Sequence, residues 1–274
     1  MIFAASDPTG GAGLQADLMT VSSMGCHGLT VVTGVTVQDT AGVDDFLPID
    51  ADFVDDQARV VLEDMPVAAF KIGVLGSVEV VAVVAEIVSD YPDIPLVLDP
   101  VLASGRGDPF ADDEVLAAMR ELLIPQTTII TPNSIELRRL AATAEETEGE
   151  LGALTLETCA ARLIEWGSEF VLVTGTHENT QEVINILFDE EGERRRDAWQ
   201  RLSGSYHGSG CTLAAAVAAL LANGLDIPEA VREAQEYTWQ ALSAGFRPGM
   251  GQYIPDRFFW ARELQAGGSA DGNA

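Results

Sequence analysis

The sequence predicts a three-layer α/β/α fold on a mainly parallel central sheet with antiparallel edge strands, and three observations predict it. Short runs of β-branched and apolar residues recur along the chain, as strands covered on both faces require. Helical patterns with apolar residues three and four apart fall between those runs, which is the β-α-β alternation of a parallel sheet. After residue 173 the pattern changes to two strand-like runs around a polar turn, which makes a hairpin.

In chain order, the apolar runs at 2–5, 29–35, 68–72, 96–98, 128–130 and 170–173 read as buried strands. The stretches 12–24, 51–63, 78–88, 112–123 and 156–166 carry helical spacing. Runs at 183–188 and 196–202 flank Asp189, Glu190, Glu191 and Gly192, a turn with a glycine, and two helices follow at 211–222 and 228–246. Ligands of open α/β sheets bind beyond the carboxyl ends of the strands, so chemistry is expected in the loops that follow them.

At 274 residues, with no Pro/Ser-rich or charged linker, the chain reads as one domain over residues 1–264. Residues 265–274 run through Gly, Ser, Ala, Asp and Asn without periodicity and are expected to be a disordered tail. Although 47% of the residues are apolar, no stretch of about 18 lacks a charge or turn residue, so no membrane-spanning helix is expected. The start, MIFAASDPTGG, has no basic region and no long apolar run, so no signal peptide is expected and the cytoplasm is the expected location. Three scattered cysteines, Cys26, Cys159 and Cys211, argue against a disulfide framework or a zinc site.

The net charge of −28 predicts a solvated acidic surface. Only Arg194, Arg195 and Arg196 cluster, a triplet expected at the exposed end of a strand, so no nucleic-acid partner is expected. Lys71 is the single lysine against fourteen arginines.

The most informative segment is SYHGSGCT at 205–212, which runs at once into an alanine-rich helix. A glycine turn opening into a helix aims unpaired backbone N–H groups and the positive end of the helix dipole at one point, an anion site. The same turn is also what caps a small-residue helix packed tightly on a sheet. Cys211, in the first turn, is expected to have a lowered pKa and to accept a proton or act as a nucleophile; otherwise it is a small buried hydrophobe. The loop SDPTGGAGLQAD after the first strand is neither a Walker A loop nor a dinucleotide fingerprint. Gln38 stands where the second strand ends at the ligand edge, or in a turn. Asp99 and Glu136 also follow strands, where their oxygens could hold a hydrated Mg2+, although Asn133 with Glu136 equally reads as a helix cap with its capping-box acid.

SDPTGGAGLQADL, VTVQDTAGV, KIGVLG, VLDPVLASGRGDPF, TPNSIEL and HGSGCTLAAA, in that order, resemble the motifs of the phosphomethylpyrimidine kinases of the ribokinase superfamily, up to about Trp260. The resemblance implies a ribokinase-like fold, ATP and Mg2+ as cofactors, and a cytoplasmic homodimer. It also implies phosphorylation of 4-amino-5-hydroxymethyl-2-methylpyrimidine and then of its monophosphate, towards the diphosphate used to build thiamine. By the same resemblance Gln38 reads the pyrimidine, while Ala5, Ala12, Val74 and Val101 wall its slot. Asp99, Asn133 and Glu136 surround the metal-bound phosphates, and Gly208, Ser209, Gly210 and Cys211 form the anion hole. Thr174 replaces the lysine usual near the ATP phosphates, with Arg106 the nearest candidate to supply that charge, and Ala5 replaces a usual glycine. A pyridoxal-type kinase of the same superfamily is the alternative, and a catalytically weak pyrimidine-binding or regulatory protein is the alternative outside the enzymes.

Overall fold

The computed structural model describes residues 1–103, 110–143, 146 and 154–262. The strands are β1 (Ile2–Ser6), β2 (Thr30–Gln38), β3 (Val43–Pro48), β4 (Phe70–Ile72), β5 (Leu96–Leu98), β6 (Ile129–Ile130), β7 (Phe170–Val173), β8 (Glu182–Asp189) and β9 (Gly192–Gln200). They make one sheet in the order β3-β2-β1-β4-β5-β6-β7-β8-β9. From β2 to β7 each neighbour is parallel, while β3 at one edge and β8 and β9 at the other run antiparallel. The expected mainly parallel sheet with antiparallel edges is therefore the observed one.

Helices α1 (Gly13–Ser23), α2 (Ala51–Asp64), α3 (Val78–Ser89), α4 (Asp113–Ala118), α5 (Ser134–Ala141), α6 (Leu156–Glu165), α7 (Ser209–Ala222) and α8 (Ile227–Ser243) cover both faces. Strand alternation decides which core each side chain joins. In β5, Leu96 and Leu98 pack with Val80, Val84 and Leu137 on one face, while Val97 packs with Leu213 and Val217 of α7 on the other. Fully burying one such side chain contributes about 1.5–3 kcal/mol, so this pattern holds the layers in register. The buried alanines of α7, from Ala214 to Ala216, let that helix lie close against the sheet. Lys71 obeys the same alternation: Phe70 and Ile72 join the first core, and its own side chain is turned to the opposite face, where α1 lies.

Several boundaries depart from expectation. The strand β3, VDDFLP, was not foreseen, because its acidic residues hide the alternation; Phe46 fills the space beside Gly34 and Gly76. Strand β9 begins at Gly192 rather than 196, so the arginine triplet lies within an edge strand rather than at its end. There it pairs with acids, Arg194 with Asp189, Arg195 with Asp197 and Arg196 with Glu193. The helix expected over 112–123 is α at first, then a wider turn over Met119–Leu123 and a tighter one over Ile124–Gln126, where Pro125 cannot continue it. Helix α8 stops at Ser243, short of the expected 246, and Phe246 instead bridges to Ile254. The expected tail at 265–274 lies outside the described residues. Among the described residues no helix is long and apolar enough to cross a membrane.

Candidate active site

After β1 the chain leaves for β2 and β3 on one side and then returns to β4 on the other, so the loops beyond β1 and β4 part and leave a crevice. A cavity of about 820 Å³ occupies it. Ala5, Ala12, Val74 and Val101 line it together with Gln38. So do Asp99, Asn133, Glu136 and Thr174, and the turn made of Gly208, Ser209, Gly210 and Cys211. Apart from Arg106, every site residue expected from the sequence thus faces one space; Arg106 lies outside the described residues.

Six described helices begin with a side-chain cap, among them α2 with Asp50, α3 with Ser77 and α8 with Asp226. Helices α1 and α7 have none, and both begin at the cavity. Gly208 takes a left-handed conformation (φ 78°), and a side chain there would strike the Gly11 carbonyl, so the two glycine loops meet only because both lack Cβ atoms. Buried Arg257 ties them together, donating to the Gly10 and Gly11 carbonyls and to the Thr212 hydroxyl.

Cys211 sits in the first turn of α7, but its thiol is not acidified as expected. Burial pushes it up to about 12, the carboxylates of Asp99 and Asp17 add to the shift, and Lys71 opposes it. A helix terminus contributes roughly 0.3–1 kcal/mol to a nearby charge, too little to offset that desolvation. At rest the sulfur is a thiol, with Lys71 and the acids Asp99 and Asp17 near it.

Beneath the turn, Lys71 Nζ lies 2.8 Å from Asp17 Oδ2 and 3.7 Å from Asp99 Oδ2, with its side chain 1% exposed. Burial raises the Asp17 carboxyl to about 6 against the pull of Lys71, and burial likewise raises Asp99. Asp99 Oδ2 has no hydrogen-bond partner. Glu136 is raised to about 8 by burial, with the charge of Asp99 adding to it. Its Oε2 accepts from the Asn133 amide while Asn133 Oδ1 accepts from the Ile135 and Glu136 amides, so the capping box exists and coexists with the place at the cavity. A buried oxygen without a hydrogen-bond partner, near a second carboxyl whose charge is suppressed by burial and then by Asp99, is a donor set that suits a divalent cation. Two carboxylates fit Mg2+, which keeps water and phosphate oxygens in its other positions.

A sequence model of the phosphomethylpyrimidine kinases matches residues 7–256. The chain belongs to that family. The hydroxymethylpyrimidine/phosphomethylpyrimidine kinase of Streptomyces coelicolor is 38% identical over 248 residues, 90% of each chain. That of Escherichia coli is 37% identical over 244 residues, 89% of this chain and 90% of its own. Among solved structures, the pyridoxal kinase of Staphylococcus aureus in complex with ADP has a TM-score of 0.83 at 25% identity, covering 95% of this chain and 93% of its own. The phosphomethylpyrimidine kinase of Clostridium difficile has a TM-score of 0.73 at 31% identity, covering 88% and 97%. Backbone shape thus runs closer to the pyridoxal kinase and sequence closer to the pyrimidine kinases. Sequence decides the family, because one fold serves several substrates while side chains carry the site.

For a member of this family, sequence reasoning missed three features. Asp17 and Lys71 form the buried pair, and the signal was there: Lys71 is the single lysine of the chain. Asp7 and His207 were quoted within motifs but given no role, yet His207 Nε2 lies 2.9 Å from Asp7 Oδ2 and 3.4 Å from Gln38 Nε2. The far end of the cavity, with Val183, Trp199 and Trp239, carried no motif; the two indoles stack at 6.4 Å. Thr174 is held by its amide, which donates to the Pro132 carbonyl at 2.9 Å. Arg201 also lines the cavity, but its guanidinium donates to the carbonyls of Thr176, Glu178 and Thr180.

Proposed function

We propose that this chain transfers the γ-phosphoryl group of ATP to the hydroxymethyl oxygen of 4-amino-5-hydroxymethyl-2-methylpyrimidine, and then a second phosphoryl group to the resulting monophosphate. The observation that carries this reading is the convergence of the pyrimidine-slot residues and the anion-hole turn on one cavity. Gln38 with Ala5, Ala12, Val74 and Val101 would hold the ring. The amides of Gly208, Ser209, Gly210 and Cys211 would receive the charge of the transferring phosphoryl group, the interaction that counts most in this chemistry. Val183, Trp199 and Trp239 offer an apolar, aromatic wall suited to the nucleotide base. Asn133 and Thr174 would border the nucleotide phosphates, and Arg106 remains the sequence-based candidate for the charge that Thr174 does not supply.

Asp99 and Glu136 would hold Mg2+, which when bound neutralises phosphate charge. Because Glu136 is raised to about 8, most of it is protonated at pH 7, and a cation must displace that proton. Titration of Mg2+ with ADP in two buffers of different ionisation enthalpy is expected to register proton release at pH 7, shrinking above pH 8.5 and absent in Glu136→Gln. Uptake of protons, or release unchanged in the variant, contradicts the assignment.

The thiol pKa decides what Cys211 can do. Forming a free thiolate from a group near pKa 12 at pH 7 costs about 7 kcal/mol, from about 1.4 kcal/mol per pKa unit. General-base assistance is worth only about 3–5 kcal/mol. A resting thiolate is therefore set aside: Cys211 would meet the substrate hydroxyl as a thiol, and the anion-hole amides would carry the charge of the transfer. Incubation with ATP, Mg2+ and the hydroxymethylpyrimidine tests the activity itself: the monophosphate and ADP are expected, and no product at saturating concentrations contradicts the reading.

A further inference from the structure

We propose that Arg257 is the fixed counter-charge of the anion-hole turn: a positioning residue that touches no ligand, yet sets how tightly the turn holds a phosphoryl group. The inference rests on the kinase reading above and adds a residue to it.

Two basic side chains are buried among the described residues, Lys71 at 1% exposure and Arg257 at 2%. Lys71 is paired with Asp17 at 2.8 Å. Arg257 has only neutral acceptors: its guanidinium donates to the Thr212 hydroxyl at 3.1 Å and to the Gly11 and Gly10 carbonyls at 2.5 and 3.4 Å. The acids around it are held by other groups, Asp17 by Lys71, Asp7 by His207 at 2.9 Å and the adjacent Asp256 by Arg262 at 2.9 Å. A charged side chain at such depth is ordinarily paired, because its desolvation is otherwise uncompensated. In a chain of net charge −28, a buried arginine without a carboxylate of its own marks a place where a ligand supplies the negative charge.

Its location says which ligand. Thr212 follows Cys211 in the first turn of α7, and the Gly11 carbonyl is the group that a side chain on Gly208 would strike. The guanidinium therefore lies behind the turn, while Gly208, Ser209, Gly210 and Cys211 line the cavity in front of it and Arg257 does not. There it does two things. Its forked donors hold the carbonyls of Gly10 and Gly11, and so offset negative dipole ends that would repel an anion at the turn. Its charge also adds to the dipole of the helix start, and a buried charge is screened little by water or salt. The residue is anchored in turn, because its backbone carbonyl accepts from the Ser23 hydroxyl of α1 at 2.7 Å and the Tyr237 hydroxyl of α8 at 2.8 Å. A cation held in this way needs no rearrangement when a phosphoryl group arrives.

Calorimetric titration with the β,γ-imido analogue of ATP in Mg2+, and separately with adenosine, tests this. The wild type is expected to bind the analogue at least about tenfold more tightly than adenosine, because only the analogue brings phosphates to the turn. Arg257→Met should bind the analogue about tenfold or more weakly than the wild type, while adenosine changes by less than about threefold. Arg257→Gln, neutral but still able to donate to one carbonyl, should behave in the same way. Arg257→Lys restores the charge and should hold the analogue within about fivefold of the wild type. A purely structural role would weaken both ligands alike. A folded neutral variant, shown by its melting curve, that keeps the analogue within about threefold, or loses adenosine equally, overturns the inference. If neither neutral variant folds, Arg257→Lys decides, and a loss of the analogue beyond about fivefold overturns it. A wild type that binds the analogue no more tightly than adenosine overturns the phosphate reading of the turn, and this inference with it. Failure confined to the variants leaves that reading standing.

Discussion

Cys211 keeps its proton because four effects of different size meet at one sulfur. Burial and the nearby acids outweigh both Lys71 and the helix start. The thiolate fraction should therefore still climb about tenfold per pH unit where an ordinary thiol, with a pKa near 8.5, has levelled off. Alkylation at Cys211, followed by mass spectrometry of the peptide, is expected to be slow at pH 7 and to keep accelerating beyond pH 9.5. Rapid modification at pH 7 with a plateau near pH 9 contradicts the raised pKa. Little of this was legible in the sequence. The position of Cys211 at a helix start was visible, but its neighbours Asp17, Lys71 and Asp99 come from α1, β4 and the end of β5, brought together only by the parallel sheet. Gln38 was legible at the ligand edge from its place just after the second apolar run, and as a reader of the substrate only through the resemblance of VTVQDTAGV to a family motif.

At the scale of elements, the two described α-helices without a side-chain cap both begin at the cavity, where α5 begins with its cap in place. Sequence patterning found both glycine loops, yet it could not say that they touch; that contact depends on Gly208 at positive φ passing the Gly11 carbonyl. The left-handed conformation alone costs an ordinary residue about 1–2 kcal/mol. Gly224 gives the comparison, because it also has positive φ (89°) but open space around it. Gly208→Ala and Gly224→Ala should each lower the melting temperature, by about 2–4 °C per kcal/mol for a chain of this size. Only Gly208→Ala should also weaken ADP binding, by about tenfold or more, as expected when one preorganised anion contact is displaced. Equal effects on ADP would mean that the turn serves the fold and not the phosphates. The strand β3 escaped the sequence pattern because on this edge only Val43 and Phe46 are partly covered, while Asp44, Asp45, Leu47 and Pro48 are exposed and break the alternation.

For the whole molecule, the order of the sheet is what makes the site, since the crevice exists only where the chain reverses direction between β1 and β4. The alternation of apolar runs and helical patterns was enough to foresee the parallel sheet and the edge to which ligands go. Its aromatic end was not foreseen, because Trp199 and Trp239 come from β9 and α8 and share no motif. The net charge of −28 works against a phosphate-backbone partner but says nothing about which small molecule enters. Backbone likeness favours pyridoxal kinases and sequence likeness favours pyrimidine kinases, so substrate choice is the central claim. The most direct measurement is kcat/KM with saturating Mg2+ and ATP for the hydroxymethylpyrimidine, its monophosphate and pyridoxal, side by side in one preparation. Both pyrimidines should be turned over, with pyridoxal at least about a hundredfold poorer, because a ring lacking the amino group leaves polar groups of Gln38 unpaired. Turnover of pyridoxal equal to or faster than that of the hydroxymethylpyrimidine would contradict the account.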